Sequence, residues 1–189
     1  VMKAKADAFW LKDIPQTRVR GYLHDMVMVG EPVSQAPFVK GMAAEWVEEQ
    51  IAKDVQRGQL VPGNSAWGSP AFRVIGKKPR MVVDYRKVNS LTVRAAFLMP
   101  STDGVKSRVQ GKKWLSTGDG VAGFNQIQNT HFASLCLAVT ALSGKYLPHA
   151  LVFGPQNGPE DFGRFTFKTF RSKLYKTWFF FVDDCCIAT

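Results

Sequence analysis

Residues 179–184 read Phe179-Phe180-Phe181-Val182-Asp183-Asp184, an apolar run that stops at two adjacent carboxylates. The apolar half predicts a buried strand. Acids at the end of a buried strand are costly unless a positive group meets them, and a divalent cation is the commonest partner of hard oxygen donors. A solvated turn would carry the same pair, so the reading depends on what lies upstream. A third acid, Asp119, ends another strand-like run, Trp114-Leu115-Ser116-Thr117-Gly118-Asp119. Earlier still stands a cationic segment, Lys77-Lys78-Pro79-Arg80. Read bare, that segment is a solvated turn. Its alternative is a triphosphate clamp, with lysine as point charge and arginine as fork donor.

Several elements must position these groups. Ala71-Phe72-Arg73-Val74-Ile75 and Arg80-Met81-Val82-Val83-Asp84-Tyr85 predict the two strands of a hairpin, joined by the tight Gly76–Pro79 turn. Trp46, Val47, Ile51 and Val55 recur at helical spacing over 41–58, with Gly58 as the stop. Residues 101–111 predict a short helix between the cap Ser101 and Gly111. The apolar, small-residue stretch 132–142 predicts a further strand. A Gly/Pro-dense loop over 153–159 opens a helix at about 159–176, with Pro159 in its first turn and Phe162, Phe165, Phe170 and Leu174 inward. Residues 1–40 carry prolines at 15, 32 and 37 and predict an extended arm with little core of its own.

Composition narrows the function classes. The 189 residues are 46% hydrophobic, which fits a globular chain, and a net charge of +10 suggests an anionic partner, nucleic acid first. Cys136, Cys185 and Cys186 are odd in number and two are adjacent, so they imply no disulfide framework and fit a reduced, intracellular setting, cytoplasm or nucleus. His24, His131 and His149 form no zinc-site spacing with them. No apolar run approaches the roughly 18 residues of a membrane span, and no signal-peptide pattern suggests secretion. The start at Val1 suggests a piece cut from something longer.

Taken together, the basic hairpin, the strand ending in Asp119 and the strand ending in Asp183-Asp184 resemble the fingers and palm of a reverse transcriptase of gypsy-type LTR retrotransposons and related retroelements. The matching pieces are Trp67-Gly68-Ser69-Pro70, Lys77-Lys78-Pro79-Arg80, Val83-Asp84-Tyr85-Arg86-Lys87-Val88-Asn89, Leu115–Asp119 with Gly123-Phe124-Asn125-Gln126-Ile127, Phe153–Pro159 and Phe181–Asp184. The resemblance implies an α+β fingers–palm core with an antiparallel palm sheet backed by helices and no thumb within 1–189. Its parts would be an arm (1–40), fingers (41–98), palm with the metal-binding strand (99–128), fingers again (129–150) and palm (151–189).

The implied activity is RNA-directed DNA polymerisation by nucleotidyl transfer to a primer 3′-hydroxyl, with Mg²⁺ (Mn²⁺ as the alternative) as cofactor. In such chemistry two metal ions about 3.5–4 Å apart stabilise the attacking and leaving oxygens. By resemblance, Asp119, Asp183 and Asp184 are the catalytic, metal-binding acids. Lys77 or Lys78, with Arg80, would hold the incoming triphosphate, and the backbone of Phe153 and Gly154 would line the nucleotide pocket. Phe124 is either a steric gate against the ribose 2′-hydroxyl or a core residue. Asp84 and Arg86 either touch the template or form a structural salt bridge, Asn157 stabilises its loop, and Trp67 is either functional or core. Implied partners are an RNA or DNA template-primer, deoxynucleoside triphosphates and the rest of a Pol polyprotein with its thumb and ribonuclease H, with no membrane.

Three positions depart from the family pattern. Gly118 replaces a large apolar residue before Asp119, Glu160-Asp161 puts charge after Pro159, and Cys185-Cys186 follows the acid pair. A second reading therefore stands beside the enzyme: a non-catalytic, retroelement-derived module that binds nucleic acid or a protein assembly.

Overall fold

The computed structural model describes residues 18–38, 41–97, 101–120, 122–181 and 184–189. The order is β1 (Leu23–His24), α1 (Gly41–Gln56), β2 (Leu60–Pro62), β3 (Ser69–Val74), β4 (Arg80–Val83), α2 (Arg86–Ser90), α3 (Thr102–Val109) and β5 (Leu115–Asp119). Then follow α4 (Gly123–Gln126), β6 (Gln128–Asn129), α5 (His131–Cys136), β7 (Val139–Ala141), β8 (Gly144–Pro148), α6 (Gly158–Phe170), β9 (Trp178–Phe181) and β10 (Asp184–Ala188).

The larger sheet has strand order β2-β8-β7-β3-β4, antiparallel throughout except for the parallel β3–β7 pair. Helix α1 lies on it. Its apolar stripe buries Val47 and Ile51 against Leu60, Ala71, Val139 and Ala141, with Trp46 and Val55 at the margin. Ile51 is 1% exposed, and burying such a side chain contributes roughly 2 kcal/mol. Gly58 ends the helical segment at φ 69°, the left-handed conformation that glycine adopts without a Cβ penalty. Strands β3 and β4 form the expected hairpin, with Val74 opposite Arg80 at the mouth of its turn.

The smaller sheet is three-stranded and antiparallel, in the order β5-β10-β9. Helix α3 forms where Ser101 accepts a hydrogen bond from the Gly104 amide (3.1 Å). Helix α6 starts with Pro159 in its first turn and buries Phe162 beside Phe124, Ile127 and Leu151.

Three local expectations change. Residues 131–136 are helix α5, and only Val139–Ala141 of the expected strand is extended. Thr130 caps α5 by accepting from the Ala133 amide (3.1 Å), and the helix turns Ala133, Cys136 and the following Leu137 into a core with Met26, Trp67, Tyr85 and Val88. Burial there pushes the Cys136 thiol up to about 11. Phe124-Asn125-Gln126 forms one helical turn. Helix α6 stops at Phe170, because the chain folds back through Tyr175, at φ 61°, whose amide donates to the Trp178 carbonyl (2.9 Å). The described part of the N-terminal segment does supply core: Met26 is buried, and His24 is fully buried beside the parallel β1–β6 pair. No helix among the described residues is long and apolar enough to cross a membrane.

Candidate active site

Strand β5 delivers Asp119 at its last position, and β10 begins with Asp184. In the β5–β10 ladder the two are direct cross-strand partners. Such partners hold their Cβ atoms about 4.5–5.5 Å apart, and like charges placed so repel. Both side chains are exposed, as is all of β5. The burial cost expected for the acids therefore does not arise for Asp119 or Asp184; mutual repulsion, which a cation would relieve, takes its place. Asp183 lies outside the described residues. Among the described residues no three His, Cys, Asp or Glu gather to hold a metal. Strand β9 buries Phe179, at 2% exposure, while Trp178 and Phe180 are half-buried. Its terminal residue Phe181 pairs with Asp184. Gly118 faces Cys185 across the ladder, and a Cβ added to it would meet open space.

The loop before α6 is held from two sides. The Asn89 side chain donates to the Gly154 carbonyl (2.9 Å) and accepts from the Gln156 amide (2.8 Å). Asn157, buried, accepts from the Ala95 amide (3.0 Å) and donates to the Val93 carbonyl (2.8 Å). Gly154 sits at φ 114°, and a Cβ there would come within 3.0 Å of the Tyr85 ring. Tyr85 is buried and donates to the Leu137 carbonyl (2.9 Å), so this floor is rigid, and burial raises its phenol far above the ordinary range. Neither Asn89 nor Tyr85 takes a role from the sequence alone. Both lie in the 83–89 segment, but no spacing rule links either to residue 154.

Phe124 is 4% exposed. Its ring stacks on Phe162 (5.1 Å between centroids) and tilts against Phe153 (4.8 Å), which is 64% exposed. The pair thus joins the core to the open surface of the loop. Trp67 is buried in the core beside Tyr85. Lys77, Lys78 and Arg80 are exposed at the hairpin tip and enter no ion pair among the described residues.

Asp84, at the end of β4, is nearly buried and takes a two-pronged contact from the exposed Arg86, Nε to Oδ1 at 2.8 Å and Nη2 to Oδ2 at 2.6 Å. That hydrogen bonding holds the Asp84 carboxyl below its usual range, against the opposing effect of desolvation. The negative charge of Asp161, a departure from the family pattern, is met: Oδ1 accepts from the Tyr22 hydroxyl (2.7 Å), and Oδ2 lies 2.7 Å from Nδ1 of His24. Burial, then the Asp161 contact, raises the Tyr22 phenol well above its ordinary value.

No family model matches the chain. It is 30% identical over 159 residues to a retrovirus-related Pol polyprotein from transposon opus of Drosophila melanogaster, covering 80% of the chain. It is 28% identical over 168 residues to that from transposon gypsy of the same organism, covering 83%. The foamy viral protease-reverse transcriptase, solved in complex with an RNA/DNA hybrid, superposes over 100% of the chain at TM-score 0.86 and 21% identity. The chain is a reverse transcriptase-like domain of the retroelement Pol group. It spans 16% of each of those two Pol polyproteins and 26% of the foamy viral chain.

Proposed function

We propose that this domain is the fingers and palm of an RNA-directed DNA polymerase, adding deoxynucleotides to a primer on an RNA or DNA template. The observation that carries the reading is the facing pair Asp119 and Asp184 on a reverse transcriptase-like palm. Hard, exposed carboxylates that repel one another fit Mg²⁺ or Mn²⁺, and Asp183, adjacent in sequence, would complete the donor set. Metal ions held there supply charge stabilisation for the attacking and leaving oxygens.

The chain's own residues do the rest. Lys77 or Lys78, with Arg80, meets the triphosphate from the exposed hairpin tip. The Phe153–Gly154 backbone approaches the nucleotide, held in place by Asn89 and Asn157. Phe124, wedged behind Phe153, sets how far that loop yields to a ribose 2′-hydroxyl. Asp84 and Arg86 brace the fingers, composed of 41–98 and 129–150, beside the template. The unpaired cysteines fit a reduced compartment, cytoplasm or nucleus.

The test is extension of a DNA primer on an RNA template by the domain extended to the length of its Pol relatives, with Mg²⁺ and with chelator. Extension that needs the metal and disappears in Asp119→Asn supports the reading. Extension that survives Asp119→Asn removes this site from the chemistry. A folded, template-binding wild type without extension moves the assignment to a binding module.

A further inference from the structure

The end of the palm sheet remote from the carboxylates carries a surface that the proposed chemistry does not use. Strand β5 runs from Leu115 to Asp119 and β10 returns from Asp184 to Ala188, so Leu115 and Ala188 face each other at that far end. Four strand steps of roughly 3.3 Å put it about 13 Å from the acids. Three segments meet there. The Lys113 and Trp114 amides both donate to the Thr189 carbonyl, at 3.0 and 2.9 Å. The Ala188 amide donates to the Thr177 carbonyl (2.8 Å). From the end of α3, the Arg108 guanidinium lies over the Tyr175 ring, 4.9 Å from its centroid.

The surface so formed is cationic and aromatic together. Arg108, Lys112, Lys113, Lys173 and Lys176 are exposed, and none of them enters an ion pair among the described residues. Neither 104–114 nor 171–177 contains an acid. Trp114 is 67% exposed, with the Lys113 ammonium 5.8 Å from its ring. Tyr175, half-buried, is held at a left-handed φ of 61°, a conformation rare for a residue with a side chain, with the Arg108 guanidinium over its ring.

We infer that this surface binds single-stranded nucleic acid, as a site separate from the palm's acidic end. Clustered cations meet phosphates and release counterions. The exposed Trp114 ring, with the half-buried Tyr175 beside Arg108, supplies a stacking face for unpaired bases, which a duplex would not offer. The inference goes beyond the polymerase reading and does not need it, since a catalytically inert domain would carry the same surface.

The test is fluorescence anisotropy of a labelled single-stranded oligonucleotide against the domain, across a salt series. The combined variant Lys112→Gln, Lys113→Gln, Lys173→Gln and Lys176→Gln changes only exposed side chains. Each phosphate contact it removes should lower the slope of log affinity against log salt by about 0.7. Trp114→Ala and Tyr175→Leu should each weaken binding about ten-fold with the slope unchanged, because stacking is not ionic. Arg108→Gln, which spares the sheet, should move both readouts. Unchanged affinity and slope in the lysine variant would overturn the site. So would an oligonucleotide affinity no greater than that for polyglutamate, which would reassign the surface to an acidic protein partner.

Discussion

Asp119 and Asp184 face each other across the β5–β10 ladder, each the residue nearest the acidic end of its strand. In the metal-free protein this costs stability, since like charges directly opposite are unfavourable by roughly 0.2–1 kcal/mol. Asp184→Asn should therefore leave the metal-free melting temperature unchanged or slightly higher. Ligand linkage predicts that Mg²⁺ raises the melting temperature of the wild type, and the variant should lose most of that rise together with primer extension. Thermal denaturation with and without Mg²⁺ measures both. An equal Mg²⁺ response in the two proteins would take Asp184 out of the proposed metal site.

Asp84 makes stability depend on acid. Its carboxyl is held below its ordinary value by Arg86, so the folded pKa lies under the unfolded one. The associated stability is present above the unfolded pKa of about 3.9. It is lost as pH falls through the folded value. Urea midpoints taken between neutral and acidic pH should drop less steeply in Asp84→Asn than in wild type. Parallel pH curves for the two proteins would show that this pair does not contribute.

Much of this arrangement is legible in the sequence because it is local. The hairpin turn at 76–79, the α1 stripe, the Ser101 cap and Pro159 each act within a few residues, Asp119 closes β5, and Asp184 opens β10 shortly after the Phe179–Phe181 run. The 132–142 run predicts a strand yet begins with helix α5, because a short apolar run does not distinguish strand from buried helix. The Thr130 cap is the signal for the helix. The Asp161 contacts with Tyr22 and His24 join residues 139 and 137 positions apart, and no pattern in the chain encodes them. The same holds for Asn89, whose two bonds to the 154–156 loop span 65 and 67 positions.

The Asp161 contacts predict a stability effect that charge alone would not. His24 is fully buried, so Asp161→Ala leaves its Nδ1 without a partner. An orphaned buried polar group costs roughly 1–3 kcal/mol. Tyr22→Phe, which removes one bond from a half-buried site, should cost less, about 1 kcal/mol. Urea denaturation gives both values, and limited proteolysis should show the 18–38 segment cut earlier in Asp161→Ala. Equal protection in wild type and variant would separate the segment's docking from Asp161.

Gly154 should be the least replaceable glycine of the 153–159 loop. Its φ of 114° is disfavoured for any residue with a side chain, and a Cβ would stand 3.0 Å from a ring carbon of Tyr85. Tyr85 cannot yield easily, because it is buried and tied to the Leu137 carbonyl. Backbone strain of this kind costs on the order of 1–3 kcal/mol, so Gly154→Ala should either destabilise the domain by that amount or displace the loop from Asn89. The two outcomes separate in kinetics. A displaced loop raises KM for the nucleotide, whereas loss of stability alone lowers the active fraction at unchanged KM. Phe124→Ala tests the same loop from beneath. It opens a cavity beside Phe153 and Phe162, at a cost of about 3–5 kcal/mol, and the freed Phe153 should admit ribonucleotides. Discrimination between deoxy- and ribonucleotides that stays at the wild-type ratio would make Phe124 a packing residue only.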